Sequence, residues 1–203
     1  MRSAGHSLKP PEPPYVWEAH GVFSAHLYSR EECVSIVRKV RGLSDWEAAE
    51  INVAVNGAIE SRAEPESRTA SVLGAAEAQS LCEEFDGRVT SYIEPVLSEA
   101  WGLRLSRHAG TQLIRYQRGG HYLAHTDSGR DSRERYFTVL AYLNDDFRGG
   151  ETSFPSLNYS ATPAAGKAIV FPANFMHSAE AVTAGEKFIL LSWLCGPAPI
   201  DWI

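Results

Sequence analysis

Apolar positions along the chain follow a helical spacing near its start and a strand-like one after Gly102. Ser29, followed three residues later by Glu32, forms a capping box. Cys33, Ile36, Val37 and Val40 then continue as a one-sided stripe, which predicts a helix over 30–41. A second stripe of Leu81, Phe85, Val89, Tyr92 and Val96 predicts a helix over 75–99, bent at Pro95. Between the two, 48–55 reads as a strand and 56–69 as a loop. Beyond Gly102, short runs rich in Ile, Val, Tyr, Phe and Thr occupy 112–116, 121–126, 137–144, 152–154, 167–171, 179–182 and 187–193, with glycine-containing turns between them. Strands following helices predict an α+β fold, mainly β: an antiparallel sandwich or jelly-roll barrel faced by helices on one side.

A chain of 203 residues suits one domain. The expected layout is a Pro-rich, extended lead-in over 1–14 and a single domain over 15–203, with helical support at 29–100 and a β core at 102–195. With 44% hydrophobic and 22% charged residues, collagen, coiled coil and wholesale disorder are excluded. A net charge of −6 gives no general attraction for nucleic acid or an anionic membrane, so neither is expected as a partner. No apolar run approaches the ~20 residues of a membrane span. The N-terminus lacks the apolar core of a secretory signal. Cys33, Cys82 and Cys195 are too scattered for a disulfide framework. These features together predict a cytoplasmic protein.

The candidate chemistry begins at HYLAHTD, residues 121–127. Side chains two apart in a strand share a face, so His125 and Asp127 can point together into a barrel. His177 lies just before another strand. Two imidazoles and a carboxylate can occupy one face of an octahedron and leave the other open, as in non-haem Fe(II) oxygenases. A zinc hydrolase site fits these three residues equally well. His6, His20, His26, His108 and His121 are read as non-ligands. Lys187 discriminates between the readings. If 177–187 is a hairpin with Val182 opposite Lys187, then His177 is ~16 Å from Lys187 along the pair. A lysine stem of roughly 6 Å leaves a gap of about 10 Å, which suits a five-carbon diacid chelating the metal at one end. Its far carboxylate would meet the ammonium. A zinc hydrolase has no need of that cation.

The runs QLIRYQRGGHYLAHTD, YFTVLAYLNDDFRGGETSFP and GKAIVFPANFMHSAEAVTAGEKFILLSW, in that order, resemble the prolyl 4-hydroxylase-like branch of the iron(II)/2-oxoglutarate oxygenases. The likeness covers 112–193. It implies a double-stranded β-helix, cupin-like, braced by the N-terminal helices, and Fe(II) held by His125, Asp127 and His177. Lys187 would hold the far carboxylate of 2-oxoglutarate, with Tyr116, Thr152 and Trp193 around the co-substrate. Related halogenases carry a small residue in place of the carboxylate, whereas Asp127 fills that position, which points to oxygen transfer. The resemblance implies a hydroxylase that consumes O2 and 2-oxoglutarate and releases succinate and CO2, with ascorbate as a further candidate reductant. The competing readings are a non-catalytic cupin-like binding module and the zinc-dependent hydrolase.

The family's peptide-binding members supply three candidate substrate contacts: Arg68 in SRTAS, Tyr122 three before the first ligand, and Arg135 in RERYFT. The chain departs from that pattern at Ala109, Cys195 and Ser71. These departures weaken a peptidyl-proline assignment in favour of a free amino acid or another small metabolite. Eight arginines between Arg104 and Arg148 face five acidic residues, Asp127 among them. The loop SGRDSRER could thus favour a carboxylate-bearing substrate. From Ser44 to Glu94 eleven acidic residues stand against three arginines. The stretch 56–66 within it is a candidate lid.

Overall fold

The computed structural model describes residues 15–56, 58–129 and 132–197. The lead-in over 1–14 lies outside the described residues, as do Arg130 and Asp131 of the SGRDSRER loop. The chain opens with strands β1 (Tyr15–Ala19) and β2 (Val22–His26), helix α1 (Arg30–Arg41), and strands β3 (Trp46–Ala48), β4 (Ile51–Val55), β5 (Ala58–Arg62), β6 (Arg68–Thr69) and β7 (Ser71–Leu73). Helices α2 (Ala75–Tyr92) and α3 (Glu94–Trp101) follow. The core strands are β8 (Arg107–Tyr116), β9 (His121–His125), β10 (Arg135–Tyr142), β11 (Arg148–Gly149), β12 (Thr152–Phe154) and β13 (Tyr159–Ala161). They are completed by β14 (Lys167–Pro172), β15 (His177–Ala179), β16 (Val182–Ala184) and β17 (Lys187–Cys195).

An eight-stranded antiparallel sheet has the order β1-β2-β14-β10-β17-β8-β7-β3, and a five-stranded sheet the order β13-β12-β15-β9-β6. Together they form the double-stranded β-helix, with helices against the larger sheet. Alternation along the central strands sorts the core into two layers. On β17, Phe188, Leu190 and Leu194 join Phe85, Val89 and Leu97 of α2 and α3. Ile189, Leu191 and Trp193 point the other way, among Ile114, Tyr116, Leu140 and Tyr142. Because β17 is covered on both faces, all nine of its residues are buried, and its pattern reads as a continuous apolar run.

Helix α1 begins and ends where its stripe predicts, and Ser29 and Glu32 make the reciprocal cap. The second predicted helix divides at Ile93, one residue before α3 and its early Pro95, since proline suits a first helical turn and not an interior. Past that break Ile93 and Leu97 are fully buried while Tyr92 and Val96 are only half-buried, so the apolar face shifts by one position.

Two sequence expectations are corrected. The stretch 56–69 is not a loop: β5 pairs with β4 from Ile51↔Arg62 to Val55↔Ala58, and β6 follows. Every residue of β5 is exposed, so no buried/polar alternation marks it as a strand. The 177–187 stretch is likewise not one hairpin. β15 pairs with β9 and β12, β16 pairs with β11, and β17 lies between β10 and β8. The chain changes sheets here because β17 needs a strand on each side. The ~16 Å spacing drawn along a shared strand pair falls with that hairpin. No helix among the described residues is long and apolar enough to cross a membrane.

Candidate metal centre

Register brings two histidines together: His177, opening β15, is the direct partner of His125, closing β9. Asp127 follows two residues later, and its amide and that of Ser128 both donate to the Ala173 carbonyl at 2.8 Å. One ligating atom from each of His125, Asp127 and His177 lies within 4.8 Å of the others. Each imidazole is oriented by a local bond from its Nδ1 to a carbonyl two residues earlier, Leu123 at 2.8 Å and Phe175 at 3.0 Å. The proton is thereby kept on Nδ1 and Nε2 is left as a donor to metal. The two Nε2 atoms face Asp127 at 3.5 and 3.4 Å.

The charge states suit ligation. Burial alone would raise the Asp127 pKa, but the two histidines and Thr138 outweigh it and hold the carboxyl well below the usual carboxylate range. Burial pushes the His177 imidazole down, toward its neutral form. Two imidazole nitrogens and one carboxylate on one side of a cavity are a donor set that fits ferrous iron with positions left open. The cavity has a volume of about 1040 Å³. Tyr116, Thr152, Trp193, Tyr122, Arg68 and Arg135 line it beside the triad.

Lys187 is fully buried and pairs in register with Tyr116. Its Nζ donates to the Gly150 carbonyl at 2.6 Å and lies 4.9 and 5.4 Å from the ring centroids of Tyr116 and Tyr142. A solvated strand-end lysine is excluded. Burial pushes the ammonium down to about 7, against the weaker pull of Glu151 and Glu180. Gly150 has φ +70°, and an added Cβ would crowd Phe147, Val182 and Lys187 itself, which accounts for the glycine in FRGGET. Thr152 is buried and accepts a 2.8 Å hydrogen bond from the Tyr142 hydroxyl.

Around the mouth, the Tyr122 ring stacks on His125 with centroids 3.5 Å apart. Arg135 donates from Nη1 to the Asp127 carbonyl at 3.2 Å, and its guanidinium lies 3.8 Å over the Trp193 ring. Arg68 is buried, donating to the Glu50 carbonyl, with its guanidinium 4.9 Å over Tyr122. Glu50, Ile51, Asn52, Ile59 and Ser61, at the root and along the β4–β5 hairpin, complete one wall.

Sequence reasoning missed Thr138, fully buried on β10, whose Oγ1 donates to Asp127 Oδ2 at 2.6 Å. Its only sequence signal is parity, since Thr138 shares a strand face with Leu140 and Tyr142. His108, read as a non-ligand, sits behind the large sheet between Asp86 and Glu94 at 3.1 and 3.2 Å.

Residues 111–195 match the family model described as the 2OG-Fe(II) oxygenase superfamily. A protein of Acanthamoeba polyphaga mimivirus that carries the name prolyl 4-hydroxylase is 37% identical, over 40% of this chain and 43% of its own length. The chain thus spans less than half of that curated relative. Among solved structures, the viral collagen prolyl hydroxylase of Paramecium bursaria Chlorella virus-1, in its 2OG complex, superposes with a TM-score of 0.61 at 18% identity, over 88% of this chain and 97% of that one. A Trichoplax adhaerens prolyl hydroxylase, in complex with a hypoxia inducible factor oxygen degradation domain peptide fragment, gives 0.64 at 16% identity, over 87% and 84%. At these identities the structures share the fold.

Proposed function

We propose, from the premise that residues 111–195 form a prolyl 4-hydroxylase-like 2OG-Fe(II) oxygenase core, that this protein hydroxylates an unactivated C–H bond of its substrate. The reaction is coupled to oxidative decarboxylation of 2-oxoglutarate to succinate and CO2. The observation that carries the reading is the convergence of His125, Asp127 and His177 on one point of a cavity with the buried Lys187 ammonium beneath its wall. A metal-binding module without catalysis has no use for that ammonium, and neither has a zinc hydrolase.

In this reading His125 and His177 hold ferrous iron through Nε2 and Asp127 through its carboxylate. Bound there with 2-oxoglutarate and O2, iron supplies the oxidation, in which one oxygen atom enters the substrate and the other enters succinate. The chain's own residues bind and orient. Lys187 leaves the Gly150 carbonyl for the far carboxylate of the 2-oxo acid, exchanging a neutral acceptor for a charged one. Tyr116 and Thr152 wall that end and exclude water, while Trp193, six residues along β17 from Lys187, lines the cavity beneath Arg135. Asp127 remains ionised throughout, and the Nδ1–H bonds keep both imidazoles from turning. Ascorbate serves as an accessory reductant.

Tyr122 and Arg135 face the substrate at the mouth. Arg68 lines the same cavity, but its guanidinium is already held by protein groups. The guanidinium of Arg135 favours a carboxylate-bearing substrate, amino-acid-like or prolyl, free or within a peptide. The peptide bound by the Trichoplax relative supports the last form. Cys33, Cys82 and Cys195 are free thiols, which fits a reducing, cytoplasmic setting.

The test is purified protein with Fe(II) and 2-oxoglutarate, followed for succinate across free amino acids, prolyl peptides and other small carboxylates. Substrate-stimulated succinate, abolished by His125→Ala, is the expected result. Tight stoichiometric zinc with no succinate from any candidate would overturn the oxygenase reading and favour the hydrolase.

A further inference from the structure

Arginine 68 is more deeply embedded than a substrate contact requires. It opens β6, where it is the register partner of Tyr122 on β9, and is only 9% exposed. Its guanidinium carbon lies 4.9 Å over one face of the Tyr122 ring. His125 stacks on Tyr122 as well, with an interplanar angle of 19° and centroids 3.5 Å apart. A planar cation, a phenol and an imidazole ligand therefore form one chain of contacts. From the same guanidinium, Nη1 donates to the carbonyl of Glu50 at 3.0 Å. Glu50 is the residue before β4, at the root of the β4–β5 hairpin. The Tyr116 hydroxyl also neighbours this guanidinium. No carboxylate pairs with Arg68 among the described residues, and its Nε has no partner.

Burying an arginine without a carboxylate is costly, and a methionine or leucine would fill the volume more cheaply. What a planar guanidinium adds is a flat cationic face for the tyrosine ring together with a directional donor for the hairpin root. We infer that Arg68 is a positioning residue: it presses Tyr122 flat against the His125 imidazole and ties the root of the β4–β5 hairpin to that same stack. The geometry of the first ligand and the order of the hairpin wall are then coupled through one side chain. This differs from the resemblance-based expectation for Arg68, direct contact with substrate. It rests on reading His125, Asp127 and His177 as metal ligands.

The experiment uses Co(II), whose visible absorption reports ligand geometry, titrated into the full chain without co-substrate. Hydrogen exchange across 51–62 is measured on the same samples. Arg68→Met and Arg68→Lys both remove the planar face, and lysine keeps the charge. Tyr122→Leu breaks the stack from its other side and Tyr122→Phe preserves it. The expected result is Co(II) affinity weakened about tenfold or more, with an altered spectrum, in both Arg68 variants and in Tyr122→Leu, and wild-type behaviour in Tyr122→Phe. Exchange over 51–62 should rise in the Arg68 variants alone. Wild-type affinity and spectrum in Arg68→Lys would overturn the inference, as would unchanged exchange in the hairpin. If Arg68→Met does not fold, Arg68→Lys and Tyr122→Leu decide the matter. A His125→Ala control separates the two levels of the argument. If it binds Co(II) as the wild type does, the metal reading itself fails; if it alone loses Co(II), only the role of Arg68 fails.

Discussion

Thr138 donates a 2.6 Å hydrogen bond from Oγ1 to Oδ2 of Asp127, across from the two histidines. Both residues are buried, and the threonine comes from the larger sheet while His125 and His177 come from the smaller. The carboxylate is thus oriented from the opposite wall of the barrel. Thr138→Val keeps the shape but removes the donor, and should weaken Co(II) binding by about 10–100-fold. Thr138→Ser should retain most of the affinity. Titration of the two variants side by side checks this, and equal affinities would remove Thr138 from the metal site.

Lys187 holds its proton weakly in the ligand-free protein, with its pKa pushed down to about 7 by burial. A dicarboxylate prefers the ammonium form, so 2-oxoglutarate binding should take up a proton, and apparent affinity should fall as pH rises above about 7. Calorimetry in buffers of different ionisation enthalpy measures the proton uptake. Lys187→Ala should raise the apparent 2-oxoglutarate requirement by about 100-fold, the order expected for a lost buried ion pair, and should flatten its pH dependence. An unchanged requirement would remove the residue from its assigned role.

His108 links α2 and α3 to the β sheet through Asp86, Glu94 and the Ser192 hydroxyl. Burial works against its charged form, but hydrogen bonds and charge from Asp86 and Glu94 prevail, and its pKa is raised. A histidine raised on folding contributes stability that is fully present below its unfolded pKa, near 6.5. That contribution is lost as pH climbs through the folded value. His108→Gln should therefore cost about 1.5–3 kcal/mol at mildly acidic pH and progressively less in alkaline buffer. Denaturant unfolding of both proteins from pH 5.5 to 9 tests this, and a pH-independent difference would refute it.

Gly110 has φ +61°, and a Cβ added there would lie 2.6 Å from the Trp193 ring. Gly110→Ala combines backbone strain with displacement of an indole that lines the cavity and carries Arg135 on its face. A loss of about 1–3 kcal/mol is expected, together with a shifted tryptophan emission. A fully stable variant with native emission would show that the added methyl is accommodated without displacing Trp193.

Helix α1 was legible to the residue because its cap and stripe are local: Ser29, Glu32 and the buried Cys33, Ile36, Val37 and Val40 lie within twelve positions. His125 and Asp127 were legible as a pair from their two-residue spacing. β9 ends at His125, however, and the bend at Asp127, tied by its amide to the Ala173 carbonyl, rather than strand parity sets the carboxylate's direction. β4 falls within the strand read over 48–55, but its partner β5 escaped notice because every residue of β5 is exposed, so the pairing left no apolar alternation over 58–62. Thr138 escaped, and Arg68 was read only as a substrate contact, because a threonine or arginine in an extended segment reads the same whether it faces water or a buried protein partner. Their partners Asp127 and Tyr122 stand 11 and 54 positions away.

By itself the sequence singled out the candidate donors His125, Asp127, His177 and the amine of Lys187, together with most of the helical and strand periodicities that carry them. Only the tertiary structure decided how these meet: β15 set against β9 rather than β17, Lys187 docked on Gly150, and Arg68 stacked through Tyr122 onto His125. Residue types and short-range spacing record what a segment can do with its own backbone. Strand pairing and ring stacking join segments far apart in the chain, and burial against those distant partners is fixed only once the sheets have closed.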